Sequence, residues 1–234
     1  NDLEKIFAQI LDNSEFIQGR HVEEFEKSWS NITKTKYSIS CANGSDSLQI
    51  AMRALGVRPG DEVIVPAHSW LSTASMVTAA GGKVVFCATT LDTFLIDPEK
   101  IEDKITANTV GIIPVHLYGQ AADMTRICQI ASKHNLWIVE DCAQAHLAEH
   151  DGKLVGQFGD IASYSFFPGK NIGAIGDAGA LTTNDYSLSH KAKCIALHGG
   201  TTKHEHLIEG FNSRLDSLQA AILSLKIPHL KDRN

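Results

Sequence analysis

No apolar run in this 234-residue chain approaches the roughly 20 residues that a membrane-spanning helix needs. The opening residues, Asn1 to Lys5, also lack the charged-then-apolar order of a signal peptide. A membrane partner is therefore not expected, and the default compartment is the cytoplasm. Concentrated positive charge is missing too. Against 27 Asp+Glu stand only 21 Lys+Arg, a formal net charge of -6. Nucleic-acid binding would gather Lys and Arg on one surface, so small molecules are the expected partners. The five cysteines (Cys41, Cys87, Cys128, Cys142, Cys194) are odd in number, isolated and mostly set in apolar stretches. They read as reduced core residues and not as a disulfide framework. Eleven histidines include no His-Glu-x-x-His pair. His204 and His206 flank Glu205 at alternate positions, a spacing that suits a loop or strand better than a zinc-binding helix. No metal is expected.

What the chain does hold is a 43% hydrophobic composition, enough to bury the core of one large domain. Short β-branched segments bounded by turn residues predict strands at 37–41, 62–65, 83–87, 110–115, 136–140, 161–166 and 179–183. Helical periodicity falls between them at 3–11, 21–29, 45–55, 72–79, 98–104, 122–134, 186–196 and 213–225. That alternation predicts an α/β domain with a mainly parallel sheet. Ile112-Ile113 and Trp137-Ile138-Val139 are continuous apolar runs, the pattern of strands buried between two helix layers. No repeat or linker interrupts the pattern, and 199–210 is the longest irregular loop. In such sheets ligands bind beyond the carboxyl ends of the strands.

Three segments lie there. Asn43-Gly44-Ser45-Asp46-Ser47 follows a strand and opens a helix, whose first N–H groups suit a phosphate, although the same pattern serves as an ordinary cap. Glu140-Asp141 ends an apolar strand, where a carboxylate would either hold a cation in a desolvated pocket or cap the next turn. The sharpest signal is Ser165-Phe166-Phe167-Pro168-Gly169-Lys170-Asn171, which sets a lysine in a Pro-Gly turn directly after a strand. A lysine held over a pocket can lose its proton and form a Schiff base with an aldehyde.

Together with Pro59-Gly60-Asp61-Glu62-Val63-Ile64-Val65-Pro66, Pro114-Val115-His116-Leu117-Tyr118-Gly119-Gln120, Cys142-Ala143-Gln144-Ala145-His146 and Asn212-Ser213-Arg214-Leu215-Asp216, these segments resemble the DegT/StrS family of pyridoxal-phosphate (PLP) dependent nucleotide-sugar aminotransferases. The resemblance runs from about Gly19 to Leu225. It implies the fold of type I PLP enzymes: a three-layer α/β/α large domain around a mainly parallel, mixed seven-stranded sheet. On this reading residues 1–234 are that PLP-binding large domain with its N-terminal helices, and the carboxyl-terminal small domain is not present in the chain.

The resemblance also implies site roles. Lys170 forms the Schiff base with PLP and shuttles a proton, and Asp141 pairs with the protonated ring nitrogen. Trp70 stacks on the ring and Gln144 bonds the ring hydroxyl. Ser165 takes the phosphate with the backbone near Gly44 and Ser45. Asn212 or Arg214 matches a segment that reaches the phosphate of the neighbouring subunit, which implies a homodimer. An amino-acid donor, typically glutamate, converts PLP to pyridoxamine phosphate, which then aminates a nucleotide-linked keto sugar. Polysaccharide, glycoprotein and antibiotic biosynthesis are all compatible settings. Related sugar dehydratases carry histidine at the lysine position, so Lys170 favours transamination. One departure is Cys87-Ala88-Thr89-Thr90, where the family carries acidic residues. The competing expectation is a truncated PLP-binding or dimerisation module without efficient turnover.

Overall fold

Each of the seven segments read as strands from the sequence is a strand in the computed structural model, which describes residues 2–202 and 204–234. In chain order these are β1 (Tyr37–Cys41), β2 (Glu62–Pro66), β3 (Lys83–Cys87), β4 (Thr109–Ile112) and β5 (Trp137–Asp141). A small hairpin of β6 (Glu149–His150) and β7 (Lys153–Leu154) precedes β8 (Ile161–Ser165) and β9 (Gly179–Thr183). The main sheet has the order β1-β9-β8-β5-β4-β2-β3. β9 pairs antiparallel with β1 and β8, and the remaining pairings are parallel. All strands but β9 therefore present their carboxyl ends at one edge, the mixed and mainly parallel arrangement anticipated from the alternation of elements.

Helices α1 (Asp2–Asn13), α2 (Arg20–Thr33), α3 (Gly44–Leu55), α4 (Leu71–Ala79), α5 (Met124–His134), α6 (Tyr186–Ala196), α7 (Ser217–Lys226) and α8 (Leu230–Arg233) complete the chain. The pleat of β2 shows why two helix layers are needed. Val63 and Val65 pack with Leu48 of α3 and Ile195 of α6, whereas Ile64 between them faces Met124 and Ile127 of α5. On the α5 side, Phe25 and Trp29 of α2 join Tyr164, Phe166 and Leu223. Trp29 meets Tyr164 and Phe166 edge-on at centroid distances of 5.2 and 4.9 Å. Its truncation to alanine would cost about 3–5 kcal/mol.

Several boundaries differ from the periodicity reading: α2 runs on to Thr33, past the expected end at Trp29, and three further differences have a local cause. The helix expected over 98–104 is a pair of 3₁₀ turns, Pro98–Lys100 and Glu102–Lys104, the tighter form common in short connecting pieces. The strand expected to reach Val115 stops at Ile112, ahead of Pro114, which has no N–H to give the ladder; Val115 rejoins it only as a bridge to Asp141. The last helix begins at Ser217 and not Ser213, since bridges from Asn212 to Leu197 and from Asp216 to Ile17 hold the segment extended. Within the 199–210 loop, Lys203 lies outside the described residues. Among the described residues no helix is long and apolar enough to cross a membrane.

Candidate active site

The carboxyl edge of the sheet opens into a cavity of about 420 Å³, and loops from β1, β2, β5 and β8 supply its walls. Gly44, Ser45, Trp70, Asp141, Gln144, Ser165 and Lys170, separated by up to 126 positions in sequence (170 − 44), all line it. Asn212 and Arg214 do not line it; Asn212 is exposed, and the Nε of Arg214 is buried without a hydrogen-bond partner.

One end of the cavity is built by the start of α3. Asn43 caps the helix by accepting from the Asp46 N–H at 2.8 Å. The first-turn N–H groups of Gly44 and Ser45 have no intrahelical acceptor. A Cβ at Gly44 would lie 2.5 Å from Cβ of Ser165, so only glycine lets the helix start approach the end of β8. Ser45 Oγ shares a 2.7 Å hydrogen bond with Ser72 Oγ. Ser213, which carried no role in the sequence reading, braces the same corner. Its hydroxyl donates to Asp46 Oδ2 at 2.7 Å and accepts from the Ala42 N–H at 3.1 Å.

Two titratable groups define the opposite wall. Asp141 ends β5 and is only 5% exposed. It accepts from Thr73 Oγ1 at 3.0 Å and from the Ala143 N–H at 3.1 Å. Burial pushes its carboxyl above the usual carboxylate range, although Ala143, Thr73 and the nearby positive charge of Lys170 pull the other way. Lys170 follows β8 in a turn closed by its own N–H donating to Phe167 O at 2.9 Å. Burial lowers its ammonium below the ordinary lysine value, with Asp141 opposing. Its Nζ makes no hydrogen bond or ion pair among the described residues. A lysine made easier to deprotonate thus shares a cavity with a carboxylate that makes no ion pair among the described residues.

The matching family model, described as the DegT/DnrJ/EryC1/StrS aminotransferase family, covers residues 1–234. The chain belongs to this family. Among similar proteins, a pleiotropic regulatory protein of Geobacillus stearothermophilus is 47% identical over 98% of this chain and 62% of its own length. The dTDP-3-amino-3,6-dideoxy-alpha-D-galactopyranose transaminase of Aneurinibacillus thermoaerophilus is 45% identical over 100% of this chain and 64% of its own. Among solved structures, NtdA from Bacillus subtilis with bound cofactor PMP superimposes with a TM-score of 0.93 at 39% identity, over 98% of this chain and 52% of that one. The chain thus spans about three fifths of the length of these curated relatives.

The sequence reading missed several neighbours of the site. Thr73 is the partner of Asp141, and Ser69 shares a 2.9 Å hydrogen bond with Thr73; both sit in a helix start with no motif to flag them. Phe167 and Asp177 also line the cavity. Phe167 belongs to the lysine segment, where its residue type alone signals no role. His116, Glu140 and Cys142 bring their potential ligand atoms within 4.8 Å of one another. Glu140 there already accepts four hydrogen bonds from the protein, and burial pushes the Cys142 thiol up, away from the thiolate a metal would need.

Proposed function

We propose that this chain is the cofactor-binding large domain of a PLP-dependent aminotransferase that moves an amino group from an amino acid, glutamate, to a keto sugar on a nucleotide diphosphate. The observation that carries the reading is the pairing of a desolvated Lys170 with a buried, under-satisfied Asp141 in one cavity beside a helix N-terminus. Those features fit the cofactor group by group: an amine for its aldehyde, an anion for its ring nitrogen, and backbone donors for its phosphate.

When bound, PLP would supply an electron sink for the negative charge that develops on the substrate carbon. Lys170 would be its covalent anchor and, once displaced by substrate, would carry the proton to and from that carbon. Burial suits the lysine to this work because it enlarges the neutral fraction near neutral pH. Asp141 would keep the ring nitrogen protonated, Trp70 would cover the ring and Gln144 would take its hydroxyl. Ser165 and the Gly44 and Ser45 N–H groups would hold the phosphate. Asn212 or Arg214, outside this chain's own cavity, would reach the site of a second subunit, which makes the active form a homodimer. Five free cysteines agree with a reducing, cytoplasmic setting.

The test is visible absorption of the purified protein with added PLP, before and after borohydride, followed by peptide mass spectrometry. A yellow species fixed by reduction on Lys170, and lost in Lys170→Ala, is the expected result. An adduct on another lysine, or equal absorbance in the variant, would overturn the assignment. Glutamate and keto-sugar nucleotides supplied separately should each complete only one half of the exchange, as ping-pong kinetics requires.

A further inference from the structure

Three exposed rings stand beside that cavity with no part in holding the cofactor. His68, Phe94 and Tyr118 come from the loops after β2, β3 and β4. The His68 ring centroid lies 5.4 Å from that of Phe94 and 6.3 Å from that of Tyr118. His68 Nε2 and the Tyr118 hydroxyl share a 3.1 Å hydrogen bond. Phe94 and Tyr118 are 44% and 61% exposed, yet both hold a left-handed backbone, with φ of 61° and 58°. Bulky side chains rarely adopt that conformation, and its strain is kept where the surroundings impose it.

The imposing groups are chain neighbours of the two rings, Leu95 after Phe94 and Leu117 before Tyr118. Leu95 and Leu117 are buried against Val115, which turns the neighbouring ring outward in both cases. Gln120 Nε2 donates to Thr93 O at 3.3 Å and ties the two loops together. The shelf joins the cavity directly. The Tyr118 N–H donates to Gln144 Oε1 at 3.0 Å, and Ser69 and Trp70, which follow His68, line the cavity with Gln144 and Val115.

Resting on the sugar-aminotransferase reading, we infer that His68, Phe94 and Tyr118 form the subsite for the hexose ring of the amino acceptor. Aromatic faces suit the C–H face of a pyranose, and the imidazole–phenol pair offers donors and acceptors to its hydroxyls. The hexose carries the carbon that must reach the cofactor, so it is the part of a nucleotide sugar that sits next to the cavity mouth.

Calorimetric titration of the full-length, cofactor-loaded protein tests this with dTDP-glucose against dTDP and UDP-N-acetylglucosamine against UDP. One of the sugar nucleotides should bind more tightly than its bare nucleotide. In the double variant Phe94→Ala, Tyr118→Ala that advantage should fall about fivefold, and in Tyr118→Phe by a smaller factor. Bare-nucleotide binding, cofactor absorbance and oligomeric state should stay unchanged. An undiminished sugar advantage overturns the inference. So does an equal loss for sugar and bare nucleotide, which would assign the shelf to the nucleotide end, and so does a change of oligomeric state, which would make it a contact between copies. No binding of any probe by the unaltered protein would sink the sugar-nucleotide reading itself, an outcome distinct from the other three.

Discussion

Glu140 and Asp141 are adjacent buried carboxylates at the end of one strand, and the pleat sends them to opposite faces of the sheet. Glu140 is fully provided for. Its two oxygens accept from His116 Nε2 at 3.1 Å and from the N–H groups of Gly156, Phe158 and Gly159, each at 2.7 Å. The Ala122 N–H donates to His116 Nδ1 at 3.0 Å, which leaves the ring proton on Nε2, pointed at Glu140. Burial alone would raise the Glu140 carboxyl, but His116 and the backbone donors hold it below the usual range. Asp141 has two donors, and burial keeps its carboxyl raised. The same chemical group, one residue apart, has four donors on one face and two on the other, where the proposed cofactor would bring a cation.

Neutralising each carboxylate should therefore have opposite consequences. The largest effect is expected from Asp141→Asn, which keeps the shape and removes the charge: transamination in the full-length protein should fall at least about a hundredfold, while the cofactor-free form melts no lower than the parent. Glu140→Gln should do the reverse. Turning an NH₂ group toward two of the four donors should destabilise the fold by about 3–5 kcal/mol, read by denaturant unfolding, while the protein that remains folded keeps its bound-cofactor absorbance. If Asp141→Asn instead unfolds the cofactor-free protein, the contrast between the two carboxylates is broken.

A pH series sharpens the same comparison with a smaller signal. A carboxyl whose folded value is raised contributes stability that is fully present below its unfolded value, about 3.9 for aspartate, and lost as pH rises through the folded value. The cofactor-free Asp141→Asn variant should thus gain over the parent as pH rises from about 4 toward neutrality. Glu140 has a depressed value, so its contribution is present above about 4.3 and lost as pH falls through the folded value. The deficit of Glu140→Gln should shrink on acidification. Thermal melts of the three proteins from neutral pH down to well below about 4.3 would show the Asp141→Asn difference changing above its unfolded value and the Glu140→Gln difference changing below its own, in opposite directions; parallel curves throughout would remove the electrostatic account of both sites.

The legibility of these features in the sequence followed from how local they are. Strands were visible as apolar runs, and the lysine turn after β8 announced itself through Pro168 and Gly169. Asp141 could be placed at a strand end from the same pattern. What periodicity could not show was pairing at a distance. The spacing of Ser213 and Arg214 permits a helix, whereas bridges from Asn212 to Leu197, just past α6, and from Asp216 to Ile17 hold that stretch extended. The role of Glu140 was equally hidden, since its partners lie 16 to 24 positions away in chain order. The φ values of Phe94 and Tyr118 belong to the same class, for nothing in either residue type announces a left-handed backbone.

Thr73 is the residue through which the contrast can be adjusted with least disturbance. It is 1% exposed, its hydroxyl donates to Asp141 Oδ2, and it shares a second hydrogen bond with Ser69. Valine has nearly the same shape, so Thr73→Val removes the hydrogen bonds to Asp141 and Ser69 with little change of packing. The Thr73 bond pulls the Asp141 value down; without it the carboxyl should rise further and ionise only at higher pH. Cofactor affinity should weaken about tenfold, the equivalent of one hydrogen bond to a charged group. The pH at which bound-cofactor absorbance reaches half its maximum should move upward. Glu140 lies on the other face and does not touch Thr73, so the unfolding free energy of the cofactor-free protein should change by less than in Glu140→Gln. A weaker affinity with an unmoved pH midpoint would show that Thr73 acts by packing alone, and that the charge on Asp141 is set by burial and the Ala143 N–H.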